Sequence, residues 1–324
     1  MIRAARLPVV AVLLSLVAIP AAPAGAQTTG APAAGSLSLV LERAYSMGPR
    51  RVALHGQPIR LRGIVTPYVQ GQVVEVTARV GTTQLVRTRR TVQAVGNTGQ
   101  VTVDFRARKL GRVISAVTSF AAGDQPQRRA FAPVFDTFLP VAGGGARGLR
   151  VQFLQQRLAA LHYAVNRTGV YDDATARAVL AYRKVNGLPR IFSASRFVYG
   201  RMAQMRGGFA VRFKGLGRHA EADISRQVLA LINPGGRVYR IYHTATGTRS
   251  TPTIYGIFRT YRKDFGTNSL GMVHAVYFIR GYAIHGFRSV PTHRASHGCL
   301  RIPIPNARFV YNWMRIGTPV ATYP

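Results

Sequence analysis

The chain is short of two kinds of residue that carry chemistry in many proteins. Of its 324 residues one is a cysteine, Cys299, and ten are acidic, against 44 lysines and arginines. A single thiol excludes an intramolecular disulfide. All ten carboxylates lie at or before Asp264, so a catalytic base in the last part of the chain finds no Asp or Glu there to orient it. A backbone carbonyl fits that role better. The same shortage argues against a metal centre: there is no His-Glu-x-x-His, and one cysteine among scattered histidines lacks zinc-ligand spacing. No cofactor is expected. The apolar run at 7–19 is short for a membrane span.

What the chain has in excess is positive charge, a formal +34 with 47% hydrophobic residues. Dense arginine commonly neutralises phosphate. Here the arginines are spread along the whole length, with no basic helix and no RNA-module signature, so no nucleic-acid partner is expected. Adhesion to anionic polymers or a membrane surface accounts for the charge, as does a compositional bias spread over solvated faces. The hydrophobic content suffices for two or three cores.

The chemistry concentrates in the stretch 284–301, which holds Cys299 and three of the eight histidines, His285, His293 and His297. A thiol becomes a competent nucleophile when a nearby imidazole takes its proton or stabilises its thiolate. His285 and His297 are both candidates for that partner, whereas His293, between Thr292 and Arg294, reads as solvent-facing. Gly286 and Gly298 allow close approach of backbone to substrate, where N–H groups can meet a developing oxyanion. A lone cysteine is often a small buried apolar residue. In an exported chain that otherwise avoids the residue, a functional reading is stronger.

The order His285-Gly286, a variable loop, then Ser296-His297-Gly298-Cys299-Leu300-Arg301 resembles the signature of the L,D-transpeptidases with a YkuD-like catalytic domain. The resemblance implies Cys299 as nucleophile, His285 as base and Gly286 as the carbonyl that orients it. It further implies that Ser296, His297, Gly298 and Arg301 shape the site and hold substrate. Ile302 departs from the Met or Leu common at its position. Thr246-Gly247, Thr251-Pro252 and Gly256-Ile257-Phe258 resemble landmarks that precede the motif in the same family.

Residues 1–26 read as a secretory signal: Arg3 and Arg6, an apolar core, then Ala24-Gly25-Ala26 before Gln27. Left uncleaved, the segment would be a membrane anchor. Either way the remainder is exported, to the cell wall or a periplasm-like space. A linker of Ala, Pro, Gly and Thr runs to about Ser36. Alternation then appears in Ile59, Leu61 and Val65, in Val74, Val76, Ala78 and Val80, and in Val101, Val103 and Phe105, which predicts an immunoglobulin-like β-sandwich over 37–138. His55 within it reads as structural.

After the glycine-rich linker 140–148, Val151, Leu154, Leu158 and Leu161 recur at helical spacing. A second helix carries Ala178, Val179, Tyr182 and Val185, with Asp172 or Asp173 as its N-cap. These positions, with Gly169-Val170-Tyr171-Asp172 and Gly187-Leu188, resemble the small helical peptidoglycan-binding module, assigned here to 142–192. Segment 193–216 reads as a basic, partly helical connector and 217–324 as the catalytic domain. Within the latter, 222–232 reads as one strand, followed by a turn at Asn233-Pro234-Gly235-Gly236 and a partner strand at 237–243. Tyr277 and Phe278 are adjacent and point to opposite faces, and core packing is expected for both. His243 and His274 are expected to be structural.

The whole is a multidomain, mainly β protein. The resemblance implies attack of Cys299 on a peptidoglycan peptide stem, a thioester, and cross-linking by a second stem. It also implies acylation by carbapenem-type β-lactams. The same acyl-enzyme resolved by water would give a carboxypeptidase or endopeptidase, and a non-catalytic wall-binding protein is the reading from another class.

Overall fold

The computed structural model describes residues 35–324, all of which from Ser36 onward form one compact unit. The signal and most of the linker after it lie outside the described residues. No helix among those described is long and apolar enough to cross a membrane.

The first part, from Ser36 to Phe138, is all β. Four strands form one sheet, in the spatial order Ser36–Glu42, Pro58–Thr66, Thr98–Arg106 and Gln93–Val95. A second sheet of seven strands includes Arg50–Leu54, Phe135–Phe138, Gly111–Ser119 and Val73–Val80 as consecutive neighbours. The alternating residues read from the sequence account for this. Leu39, Ile59, Leu61, Val101, Val103 and Phe105 of one sheet share a single buried cluster with Val74, Val76, Ala78, Val113 and Val117 of the other. Burying apolar surface from both inner faces is what holds two such sheets together.

Three helices follow: α1 (Leu149–Ala160), α2 (Asp173–Val185) and α3 (Arg196–Ala203). Asp172 caps α2, its carboxylate accepting from the Thr175 amide at 2.8 Å. Ser195 caps α3 in the same way. Buried Gln155 fastens the α1–α2 connection by accepting from the Gly169 amide and donating to the Val170 carbonyl and the Thr175 hydroxyl. The helical region thus runs on into 193–216, because Val198, Tyr199, Met202 and Ala203 of α3 are buried with α1 and α2.

The core around these helices does not stop at their edges. It takes in Val52, Leu54 and Phe138 of the first part and Val228, Ala230, Ile232 and Ile241 of the last. Phe153 of α1 sits between Phe138 (centroids 5.3 Å apart) and Tyr199 of α3 (6.3 Å).

The last part has two sheets. One runs in the order Arg237–His243, Val228–Asn233, His219–Asp223, Pro319–Tyr323 and Gly256–Arg259. The other runs Arg262–Thr267, Val273–Ile279, Tyr282–Phe287 and Leu300–Pro303, with helix α4 (Ile304–Trp313) packed on it. The single strand read at 222–232 is in fact two. His219–Asp223 pairs antiparallel with Val228–Asn233, and the chain reverses between them. Asp223 makes that turn without Gly or Pro, its carboxylate accepting from the Ser225 hydroxyl and the Arg226 amide. The predicted partner strand at 237–243 is present.

Candidate active site

Strands Tyr282–Phe287 and Leu300–Pro303 run parallel, with Ile284 beside Leu300 and His285 beside Arg301. Parallel neighbours require a crossover; here it is the loop that carries the Ser-His-Gly-Cys sequence. Side chains alternate along each strand. Ile284, Leu300 and Ile302 face the core beneath α4. The alternation therefore places Ala283, His285, Cys299 and Arg301 together on the other face. There Met272, Ala275, Tyr277 and Ala283 form a small apolar cluster against which Cys299 packs. Tyr277 thus walls the cysteine side, while Phe278 is in the main core. The two do point apart, and both are packed in buried clusters, Phe278 in the main core and Tyr277 in the small one beside Cys299.

His285 is 2% exposed. Its Nδ1 lies 2.9 Å from the Gly286 carbonyl. A carbonyl only accepts, so Nδ1 carries the proton and Nε2 is left with the free lone pair a base needs. Burial pulls the imidazole pKa down to about 4; the Gly286 carbonyl opposes this and the Arg301 charge adds to it. Burial pushes the Cys299 thiol up, against the lowering effect of the Ala283 backbone and Arg301. The thiol donates to the Gly281 carbonyl at 3.7 Å, and among the described residues no hydrogen bond joins it to His285. At neutral pH both groups rest uncharged.

The turn before Cys299 is tied from several sides. Ser296, fully buried, donates from Oγ to the Cys299 carbonyl at 2.6 Å and accepts from the Gly298 amide at 3.1 Å. Its own backbone is held by Thr246 and Thr248. Gly298 has φ of 111°, and a Cβ there would fall 2.0 Å from the Tyr282 ring, so both conformation and space exclude a side chain. Thr253 donates to the Gly298 carbonyl at 2.8 Å and accepts from the Gly247 amide at 3.0 Å. That gives the Thr-Pro landmark a structural reason, and Thr253 is a residue the motif reading passed over. Gly286 is glycine because α4 crosses closely: a Cβ would meet that of Ala307 at 2.7 Å.

Arg301 lays its guanidinium over the Phe287 ring at 4.1 Å, and the same ring meets His285 edge-on at 5.7 Å. Its backbone pairs with Ala245. His297 and His293 are exposed. His274 accepts from the Gly266 amide, away from Cys299.

His243, by contrast, belongs to a buried network that no motif announced. Its Nε2 donates to the Val290 carbonyl in the crossover loop at 2.8 Å, which leaves Nδ1 to accept from Lys184 of α2, also at 2.8 Å. Lys184 is 2% exposed, and its Nζ also lies 3.0 Å from the Thr244 carbonyl and 3.3 Å from that of Gln227; as a neutral amine it donates to two of its three acceptors at a time. Burial lowers its pKa to about 6, with the Arg190 charge adding to it; burial lowers that of His243 to about 3, with the Lys184 charge adding and the Val290 carbonyl opposing. The loop has two more anchors. Arg190 donates to the Thr292 carbonyl at 3.0 Å, and the Gln227 amide, in the orientation that satisfies both its ends, bonds His293 and Arg294.

The region that holds this site is similar to known proteins. The model of the L,D-transpeptidase catalytic domain matches residues 217–321, and that of a peptidoglycan binding domain matches residues 147–190. The crystal structure of the L,D-transpeptidase (residues 123–326) from Xylanimonas cellulosilytica is 31% identical and covers 57% of this chain and 98% of that one, with a TM-score of 0.53. An L,D-transpeptidase from Stackebrandtia nassauensis is 18% identical over 56% of this chain and 95% of its own, at a TM-score of 0.37. LD transpeptidase LdtMt1, solved in complex with imipenem, is 14% identical over 86% of this chain and 98% of its own, at 0.29. No curated protein matches the chain.

Proposed function

Because the chain belongs to the L,D-transpeptidase family, a family of cysteine-dependent enzymes, we propose that Cys299 is its nucleophile and His285 the base that activates it. The observation that carries this assignment is the His285–Gly286 hydrogen bond, which directs the free lone pair of Nε2 onto the sheet face that also bears Cys299. Gly286 orients the base. Ser296 and Gly298 set the turn, and Arg301, stacked on Phe287, supports the imidazole and meets substrate charge. His297, exposed beside the nucleophile, contacts substrate.

The protein is an extracytoplasmic cell-wall enzyme that pairs a peptidoglycan-binding region with an L,D-transpeptidase catalytic domain. In the reaction, Cys299 gives its proton to His285 as sulfur attacks a peptide-stem carbonyl. The C–N bond breaks, the leaving amine takes the proton from His285, and a thioester remains. The amine of a second stem then attacks that carbonyl, the C–S bond breaks, and the amine's proton returns through His285 to sulfur. No cofactor enters these steps.

The finer organisation follows the sequence with one change: a signal at 1–26, an immunoglobulin-like sandwich at 37–138 supported by two sheets sharing one core, a wall-binding module read at 142–192 whose core extends through α3, and the catalytic domain at 217–324. The +34 charge favours contact with anionic wall polymers. One solved relative is in complex with imipenem, which supports β-lactam acylation of Cys299. Intact mass after carbapenem exposure tests the assignment: one adduct is expected on the wild type and none on Cys299→Ala. An adduct retained in that variant refutes it.

A further inference from the structure

The crossover loop carries the nucleophile, yet its first part has no backbone ladder to hold it. Among the described residues, no backbone–backbone hydrogen bond involves Arg288 to Arg294. Polar backbone in such a segment needs other partners. Three side chains from outside the loop supply them: His243 donates to the Val290 carbonyl, Arg190 to that of Thr292, and Gln227 bonds His293 and Arg294. Where those side chains sit decides where the loop runs.

Of the three, His243 is also tied to the residues that flank Cys299. It ends the edge strand Arg237–His243, and the chain after it runs beside the nucleophile turn. Thr244 donates from Oγ1 to the Arg301 carbonyl at 2.7 Å, and Ala245 exchanges both backbone bonds with Arg301. The Thr246 carbonyl then accepts from the amides of Ala295 and Ser296. One short segment thus grips the loop before the nucleophile and the strand after it. Lys184 supports the start of that segment, its Nζ 2.8 Å from His243 Nδ1 and 3.0 Å from the Thr244 carbonyl. An amine that donates to Nδ1 keeps the ring proton on Nε2, the tautomer that can donate to Val290. Lys184 comes from α2, inside the stretch matched by the peptidoglycan binding domain and outside the one matched by the catalytic domain.

We propose that His243 and Lys184 are positioning residues for the reaction: Lys184 fixes the His243 imidazole, and the imidazole holds the crossover loop so that Cys299 is presented to His285. The inference rests on the transpeptidase reading and deepens it. The wall-binding region then serves the chemistry without touching substrate, by setting the aim of the nucleophile.

The test compares two reactions of the full chain: single-turnover acylation by a carbapenem, and alkylation of its one cysteine by iodoacetamide, which needs a reactive thiol but no aimed attack on a carbonyl. His243→Phe keeps a ring in place and deletes both bonds. It should slow acylation by roughly ten- to a hundredfold, the scale of a misplaced reacting group, and leave alkylation near the wild-type rate. His243→Gln, whose amide can donate to Val290 and accept from Lys184, should recover most of the loss. Lys184→Met should slow acylation about tenfold, as for loss of one hydrogen bond, again with alkylation spared. In the His243→Phe background it should add little, because both residues act through one contact. Full-rate acylation in both single variants, an equal loss of acylation and alkylation, or effects of the two substitutions that simply multiply would each overturn the proposal. Should His243→Phe not fold, the ratio of acylation to alkylation in Lys184→Met decides. The wild type separates the two levels: if a carbapenem acylates it and the variants match it, only the positioning role is wrong; if it is not acylated, the transpeptidase reading falls and this inference with it.

Discussion

Cys299 and His285 meet the substrate as a neutral pair. With the thiol pushed up by burial and the imidazole pulled down to about 4, proton transfer has to accompany attack; there is no resting thiolate–imidazolium pair. The pH dependence of carbapenem acylation follows from these signs. The rate should hold from neutrality down to about pH 4, where His285 takes up a proton and loses its base function, and it should climb on the alkaline side as thiolate forms. A single-turnover profile with its acid limb near pH 6.5 would contradict the buried, neutral histidine. His285→Ala should slow acylation by roughly two to four decades, the usual contribution of a general base, and His297→Ala should slow it less because that side chain is in solvent. At this scale the sequence was highly legible: the nucleophile, both candidate bases and the need for a carbonyl orienter could be read from it. The resemblance and its place at the end of a strand favour His285 as the base; the register that sets it beside Arg301 is what no local spacing encodes.

The turn from Ser296 to Cys299 shows how elements aim these residues. Ser296→Ala removes one hydroxyl that serves two bonds and leaves the buried Gly298 amide unpaired, at a cost of about 1–3 kcal/mol. Urea unfolding measures that loss, and it should be accompanied by slower acylation even where the protein is fully folded. Gly298→Ala should be worse, since the added methyl overlaps the Tyr282 ring and the backbone conformation is itself strained; trimming the ring in a Gly298→Ala, Tyr282→Ala double variant should not restore the wild-type acylation rate. Near-normal activity in the single variant would mean the turn is looser than described. Helices α1 and α2 were legible because they keep their apolar period and α2 its Asp cap. Lys184 was not. It lies off the face marked by Ala178, Val179, Tyr182 and Val185, and a lysine in a last turn reads as a solvated end. It is buried because the catalytic sheet covers the second side of α2, a tertiary fact. The strand pair at 219–233 escaped for a different reason: the alternation of Ala222-Asp223-Ile224-Ser225 runs straight across the reversal that Asp223 makes, with no Gly or Pro to mark it.

The whole molecule inherits an acid sensitivity from groups it keeps neutral in its interior. Lys184 (about 6, from 10.5), His285 (about 4, from 6.5) and His243 (about 3, from 6.5) all have folded-state values below their ordinary ones. In each window the unfolded chain binds more protons, so stability rises with pH. It should therefore decline as pH falls from about 10 to 6 through Lys184, and again from 6.5 toward 3 through the two histidines. Calorimetry at stepped pH should find the unfolding temperature falling in that direction, and Lys184→Met should flatten the decline between pH 9 and 7. An unchanged slope in that variant would acquit Lys184. The amine has a further consequence, because α2, which carries it, shares one core with the other parts of the chain. Wall-binding helices are commonly thought of as cassettes that recombination can splice onto any enzyme. Here a transplant would carry a lysine whose three acceptors stay behind, and would leave a catalytic sheet with an uncovered flank. The recognition and bond-making halves of this protein can change only in step, as one heritable unit.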